Sequence, residues 1–508
     1  MDKRLVLAIA LSLLILLSWS AFVSKTQHVD NKGVTEKYVA LNPAVKPSAP
    51  LVPPAPLSEE PTASSLWTFP QEKYDLIFSE SQAAVKEVVF KSYQNYVFPL
   101  KYAFLLGDTN TGFKKDSVTQ EAVRFVYRDN DKQITKKFIF PRLDYAIVLE
   151  ITVENLSAAP LRINLPLILG VLDSSGDPNN VRLQDVTIAG PDKILHLSPR
   201  KDRSIGEVKF IGLRDRYFCA IIEPTAHNYT GFLRKINVKE CEIGLSQDES
   251  MLASGQQLQK TFHIYLGPQE LRQISAVKPE WTAVMYYGIF DVIALALVQL
   301  LYFLHGLVHN WGLVIVLVSV LIYFILYPLT IKQMGSMKKM QALQPRIKEL
   351  QATYKDNPQK LNAATMGLYR EYKVNPFSGC LPMILQIPVF FALYQVLNRS
   401  VALKGANFLW IKDLSAPDRL FILPVSIPIL GNEINILPIL MAIGMFMQQK
   451  TSMAATPGGS AEQQKLMLFL FPLMFGFIFY RMPAGLVLYW FINSTLMLLS
   501  QLRATRHK

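Results

Sequence analysis

Charge is what long stretches of this chain lack. Residues 310–331, 22 in a row, carry no acidic or basic side chain, and neither do the 25 of 374–398 or the 21 of 482–502. A hydrocarbon core ~30 Å thick is crossed by ~20 helical residues rising 1.5 Å each. These runs therefore read as membrane-spanning helices and exclude an ordinary soluble protein. Two shorter uncharged runs, 434–449 and 466–480, hold 16 and 15 residues, which reach only roughly 22–24 Å and imply short spans in a locally thinned bilayer. The runs also lack the buried ionisable groups of a pump or ion-coupled transporter, and no internal repeat of a transporter type is visible.

Cysteine and histidine are scarce as well, with three and seven among 508 residues. No spacing among them suits a metal, so no metal and no cofactor is expected. There is no Ser/His/Asp or Cys/His set, no H-E-x-x-H helix and no carboxylate pair in the apolar segments, which leaves no catalytic residue to nominate. Cys219 and Cys241 fall in a region expected outside the membrane, where a disulfide and two buried thiols are both open readings.

What is present has a clear order along the chain. Residues 5–23 form an apolar segment behind Lys3 and Arg4, longer than a cleavable signal core and without a small-x-small site, so a retained signal anchor is expected. Residues 24–65 become Pro/Ala/Ser-rich, a stiffened tether. From 66 to 278, short β-branched and aromatic runs such as 84–90, 146–153 and 217–222, with a turn at 176–179, predict one all-β sandwich. Residues 281–309 are apolar but hold Asp291 and His305; a charge at mid-membrane costs about 2.5–3.5 kcal/mol, so a helix lying in the interface is expected. Spans follow at about 310–331, 380–398, 434–449, 466–480 and 484–502, with a basic tail at 503–508.

Between the first two of these spans, residues 332–375 form a polar hairpin with nine Lys/Arg against three acids, a net +6. Met340, Leu343, Ile347, Leu350 and Tyr354 repeat at 3-4 spacing, Asp356-Asn357-Pro358 breaks the chain, and Leu361, Ala364, Leu368 and Tyr372 resume the stripe. Two antiparallel helices sharing that seam are predicted. The whole-chain net charge of +13 sits largely beside apolar segments on one side. It follows the positive-inside rule and argues against sequence-specific nucleic-acid binding. Both termini and the hairpin are then cytosolic and the β region lies outside, in six crossings. With no organellar transit peptide, a bacterial inner membrane is the expected address. Lys338, Lys339, Arg346, Lys348 and Lys355 are the candidate contact residues of the hairpin.

The spans hold a scatter of uncharged polar groups: Ser319, Tyr323, Gln386, Gln395, Gln448, Gln449, Asn493, Ser494 and Thr495. They can serve as helix–helix hydrogen bonds worth ~0.6 kcal/mol each, or together line a hydrated groove. Pro328, Pro382, Pro388, Pro438 and Pro472 interrupt the spans as kinks. Met337, Met340, Met366, Met383 and Met453 could offer an adaptable apolar landing surface.

Seven motifs occur in one order. They are Asn310-Trp311-Gly312, Tyr327-Pro328-Leu329-Thr330, Leu343-Gln344-Pro345, the run from Val374-Asn375-Pro376 to Pro382, Gln386-Ile387-Pro388-Val389-Phe390, Trp410-Ile411-Lys412-Asp413-Leu414, and the run from Pro483-Ala484-Gly485 to Tyr489-Trp490. This series resembles the YidC/Oxa/Alb membrane-protein insertase family, and the anchor with its β domain resembles the Gram-negative bacterial branch.

The resemblance implies a polytopic α-helical membrane protein: six transmembrane helices, five of them an insertase core, and a periplasmic β-supersandwich not known for catalysis. It implies insertion and chaperoning of nascent membrane proteins through a hydrophilic groove open to cytosol and lipid. The partners it implies are nascent chains, the bilayer, the ribosome, the signal recognition particle receptor and the Sec translocon. Ser319, Tyr323, Gln386, Gln395, Tyr489, Trp490, Asn493 and Ser494 become the groove candidates, Tyr489 and Trp490 matching an aromatic pair on the family's substrate side. One departure stands out. Where the family carries an arginine five residues before the proline of Tyr-Pro-Leu-Thr, this chain has Tyr323, which can donate one hydrogen bond but cannot attract an acidic tail. Two other classes compete: a small-solute transporter or channel, and a membrane-tethered sugar-active or sugar-binding protein built on His196, His227 and His263.

Overall fold

The computed structural model describes residues 65–107, 112–355, 357–372, 374, 381–427, 431–453 and 461–506. The expected anchor at 5–23, nearly all of the tether, and Cys380 lie outside the described residues. The chain divides into two compact units, one ending at Gly288 and one beginning at Ile289.

The first unit is β-rich. Its largest sheet has nine antiparallel strands in the order Ile194–Leu197, Asp185–Ala189, Phe210–Arg214, Phe218–Pro224, Gln257–Pro268, Ala146–Asn155, Lys132–Ile139, Ala122–Arg128, Lys114–Val118. A six-stranded sheet and a four-stranded sheet accompany it. The strand Ala146–Asn155 alternates buried and half-buried residues along most of its length, the period of a sheet with unequal faces. The two larger sheets meet where Gly231 leaves room: a Cβ there would lie 2.8 Å from the Ile211 side chain. At 176–179 the expected turn is a single-turn helix, α1 (Pro178–Val181), because Asp177 accepts from the Asn179 amide at 3.1 Å and proline occupies the first helical position.

Cys219 and Cys241 are both free and buried. One lies on the nine-stranded sheet and the other on the six-stranded sheet. The buried-thiol reading stands, and desolvation pushes both thiols above their usual range. Beyond the last strand, helix α2 (Leu271–Val277) and a 3-10 turn at Pro279–Val284 dock on the sheet through Glu223. Its carboxylate accepts from Lys278 and, at 2.6 Å, from the Trp281 indole.

The second unit is helical: α3 (Asp291–Val308), α4 (Trp311–Ala342), α5 (Gln344–Thr353), α6 (Pro358–Glu371), α7 (Leu381–Arg399), α8 (Ile436–Met453), α9 (Ala461–Phe479) and α10 (Ala484–Arg506). Helix α10 packs on α4, α7 and α8; α9 packs on α8; α3 packs on α7 and α4. Among the described residues, three segments are long and apolar enough to cross a membrane by length and composition: Gly288–Val308, Trp311–Met340 and Ala484–Arg503.

Four expectations change. Asp291 is the first residue of α3 rather than mid-helix. There a carboxylate complements the helix dipole, so the charge that argued against a crossing no longer does. Helices α8 and α9 have 18 and 19 residues, because the backbone continues through Lys450 and through the polar residues 461–465. They rise about 27–29 Å, but the added turns are polar or charged, and neither helix is among the described segments long and apolar enough to cross, so the apolar spans stay short as expected. Pro382 and Pro438 sit in the first turns of α7 and α8, where a missing N–H costs nothing, while Pro328, Pro388 and Pro472 are interior. In the polar hairpin, Met340, Leu343 and Ile347 bury against Tyr369, Leu368 and Val374. The expected Tyr372 is instead 39% exposed, since the Val374 amide bonds back to the Tyr369 carbonyl at 2.9 Å and turns that side of the helix inward. Of the methionine surface, Met340 is in this seam and Met366 is exposed; the side chains of Met337, Met383 and Met453 lie outside the described residues.

One inward position of the nine-stranded sheet is a lysine. Lys136, in register between the buried Ile134 and Phe138, is fully buried. Its amine donates to the carbonyls of Ala83 (2.5 Å) and Phe104 (2.6 Å), both residues with positive φ. These contacts favour the ammonium, yet burial dominates and pushes its pKa down to about 7. The unfolded chain therefore binds more protons than the folded chain between about pH 7 and about pH 10.4, so the stability owed to this group rises with pH across that window. In urea denaturation of the full chain in detergent, wild type minus Lys136→Met should become more favourable by roughly 3–5 kcal/mol from pH 7 to pH 10.4. A flat difference would show that the amine is not desolvated in the fold.

Candidate functional site

The polar residues of the helical unit lie mainly on α4, α7 and α10, which pack on one another. Ser319 is fully buried, and its hydroxyl donates to the Ile315 carbonyl one turn back at 2.7 Å, the usual way a serine is accommodated inside a helix. Tyr323, one turn further, is 8% exposed and packs its ring on Phe324 and Tyr327. Gln386 donates its side-chain amide to the hydroxyl of the buried Tyr489, which ties α7 to α10. Gln395, two turns along α7, is buried with its Oε1 unpaired among the described residues. Ser494 is buried on α10, and Asn493 is half-buried beside it.

Of the groove candidates, then, the fold brings Gln386 and Tyr489 into direct contact. Trp490 does not share that environment. It packs edge-on to Phe390 at 4.9 Å between centroids and joins Phe475 and Phe479, an aromatic cluster linking α7, α9 and α10. Adjacent helical residues point about 100° apart, so this aromatic pair divides between a polar contact and an apolar one. Gln448 and Gln449 are half-buried near the end of α8. On the polar hairpin, Lys338, Lys339, Lys348 and Lys355 are exposed. Arg346 donates to the Tyr372 hydroxyl and stands 5.0 Å over its ring, so one of the five cations is held locally.

At the opposite end of α4, a compact segment closes over the helix termini. Gly312 opens α4 against the Phe408 ring, which a Cβ there would meet at 2.1 Å. The amides of Ala484 and Gly485, at the start of α10, donate to the carbonyls of Ala416 and Leu414 at 2.8 and 2.9 Å. Asp418, 3% exposed, accepts from the first two amides of α8, Ile436 and Leu437, at 2.9 and 3.0 Å, and from the Trp410 indole at 3.3 Å. Asn435, 1% exposed, donates to the Tyr480 carbonyl at 2.7 Å and accepts from the Arg419 amide at 2.9 Å.

Sequence reading missed Asp418, Asn435 and Tyr480. Asn435 just before an apolar run carries a visible capping signal. Asp418 caps a helix that begins 18 residues later, a pairing no local pattern reveals.

The three histidines of the sugar-active reading do not converge. His196 and His263 lie on strands four places apart in the nine-stranded sheet, on the order of 19 Å at ~4.8 Å per strand. His196 stacks on Tyr286 and bonds Thr187, and His227 is exposed. Among the described residues no group of three or more His, Cys, Asp or Glu side chains could hold a metal.

Comparison with known proteins accords with this arrangement. The family described as the 60Kd inner membrane protein matches residues 303–508, and the YidC periplasmic domain matches residues 107–300. The membrane protein insertase YidC of Syntrophobacter fumaroxidans is 35% identical over 388 residues, covering 74% of this chain and 69% of its own. That of Syntrophus aciditrophicus is 31% identical, with 98% of each chain covered. A crystal structure of an active YidC insertase with its first transmembrane domain resolved overlaps 88% of this chain and 95% of its own, at 20% identity and a TM-score of 0.41.

Asp418→Ala should strip the acceptor from two helix-start amides and an indole and cost about 2–4 kcal/mol, read as a lowered thermal midpoint in detergent. Asp418→Asn, which keeps one acceptor oxygen, should lose less; equal losses would mean the carboxylate charge rather than the cap matters.

Proposed function

The chain belongs to the YidC/Oxa/Alb family of membrane protein insertases, and on that premise we propose that it inserts nascent membrane proteins into the bacterial inner membrane through an uncharged polar recess between α4, α7 and α10. The observation that carries this reading is the polar set of buried Ser319, Gln395 and Tyr489 and half-buried Gln386 on mutually packed helices. An isolated bundle gains little from such groups, and a buried acceptor without a partner, such as Gln395 Oε1, costs about 1–3 kcal/mol unless water reaches it. A wet recess offsets that cost and shortens the apolar path that the polar flank of a substrate must cross. Since Tyr323 replaces the family's arginine, retention of the flank rests on hydration and hydrogen bonding rather than on attraction of acidic tails. The protein is then not an enzyme: no bond is made or broken, and apolar burial of the substrate drives the step.

Sidedness follows from parity. If α3 lies along the outer interface, the β domain and the basic hairpin fall on opposite faces of the membrane; if α3 crossed, they would share one. The positive-inside rule puts the hairpin in the cytosol, and the match of residues 107–300 to a periplasmic domain family favours the opposite side for the β domain and hence an interfacial α3; with the anchor at 5–23 the chain then makes six crossings with both termini cytosolic. The exposed cations Lys338, Lys339, Lys348 and Lys355 are the surface offered to the ribosome or the targeting receptor, and the insertase works alone or with the Sec translocon.

Two measurements test this. A stalled nascent chain should crosslink to photoreactive groups at Ser319, Tyr323 and Gln386, and crosslinks confined to the outer segment 400–420 would refute the recess. Tyr323→Phe with Ser319→Ala, and separately Gln386→Leu with Tyr489→Phe, should each lower insertion of a reporter substrate several-fold at unchanged helix content. If both pairs insert at the wild-type rate, the polar recess plays no part in the activity.

A further inference from the structure

Between α7 and α8 the chain forms a two-stranded antiparallel hairpin, Phe421–Ile427 against Gly431–Ile434. From Leu420 to Asn432 it has no charged side chain. Phe421, Ile422 and Val425 are 60%, 68% and 71% exposed. Phe421 and Ile422 are consecutive strand residues and so point to opposite faces, which leaves both faces of the ribbon uncovered by the described residues. A lone apolar ribbon of this kind is marginal in water and presents an edge prone to aggregation.

Its base, by contrast, is firmly built. Arg419 pairs with Glu433 at 2.8 Å. The Leu420 amide donates to the Ile434 carbonyl at 3.0 Å, and the Tyr480 hydroxyl donates to the Glu433 carbonyl at 2.8 Å. With Asp418 and Asn435 these bonds fix the ribbon to the start of α8 and the end of α9. Directly below, Ile439, Ile443 and Met447 are exposed at intervals of four residues along α8, a stripe that faces lipid in a membrane helix. The ribbon thus prolongs the exposed apolar stripe of α8 past the helix end, with its two charges held at the base.

We propose that this hairpin is a lipid-binding wedge: its apolar ribbon inserts into the headgroup–acyl boundary beside α8 and α9, and its occupant is bilayer lipid rather than a second protein. Apolar residues on a short element anchored at the interface gain burial there at little further conformational cost. The leaflet, periplasmic, rests on the sidedness inferred above.

The test uses the full chain, with its three cysteines replaced by serine, in phosphatidylethanolamine–phosphatidylglycerol vesicles at several protein-to-lipid ratios. A polarity-sensitive fluorophore at Val425→Cys should be quenched several-fold more by lipids bearing a nitroxide near the headgroup than by aqueous iodide, independently of the ratio. Adding Phe421→Ser and Ile422→Ser should reverse that preference. Strong iodide quenching in the single-label protein would overturn the wedge. So would shielding from both quenchers, or lipid quenching that vanishes as protein is diluted, which would point to a protein partner or a second copy. Asn407→Cys, labelled with an impermeant thiol reagent, reports sidedness separately: labelling only from the cytosolic face would refute the assigned leaflet and leave lipid insertion to be judged by the quenching alone.

Discussion

A hydrocarbon interior offers no partner to a polar group, and most of this molecule's helical unit can be understood from how it meets that constraint. Backbone groups are satisfied within helices, and serine and threonine hydroxyls turn back to carbonyls one turn earlier, as at Ser319, Thr330 and Thr495. Helix ends, which cannot satisfy themselves, gather at one place. There Asp418, Asn435 and the carbonyls of Leu414 and Ala416 receive the first amides of α8 and α10. That end of the bundle is closed by hydrogen bonds, whereas the polar residues of α4, α7 and α10 are only partly paired. The proposed recess would then be sealed at one end and incompletely satisfied within, as a path for polar chain requires.

Absence of charge in the proposed recess would have a chemical consequence. A guanidinium would hold an acidic flank by Coulomb attraction in a low-dielectric setting, whereas Tyr323, Gln386, Gln395 and Tyr489 offer neutral dipoles that release a chain as readily as they hold it. Such a site would favour passage over retention and be indifferent to the sign of the flank. The buried lysine of the β domain shows the opposite strategy: Lys136 is held by two carbonyls of left-handed residues and pins local structure instead of serving a passing substrate.

Much of the architecture was legible in sequence because it rests on local periodicity. The β-rich region, the uncharged runs that became α4, α7 and α10, and the seam residues Met340, Leu343 and Ile347 all follow from spacing along the chain. The departures have local causes. A helix ends where its backbone partners do and not at a charge, so α8 runs on through Lys450, and Asp291 is a helix start. Tyr372 was placed in the seam because its spacing fitted, yet the fold-back of Val374 turned Tyr369 inward instead.

The sequence alone determined which segments must leave water and which side the cations favour, since hydrophobicity and charge are properties of residues in order. Only the tertiary structure decided that Gln386 meets Tyr489, that Trp490 turns away from it, and that Asp418 caps a helix 18 residues on. It also decided that Phe421, Ile422 and Val425 stand uncovered by the described residues. Those outcomes depend on which helices become neighbours and at what rotation, and a rotation of about 100° per residue separates contacts that adjacent letters cannot distinguish.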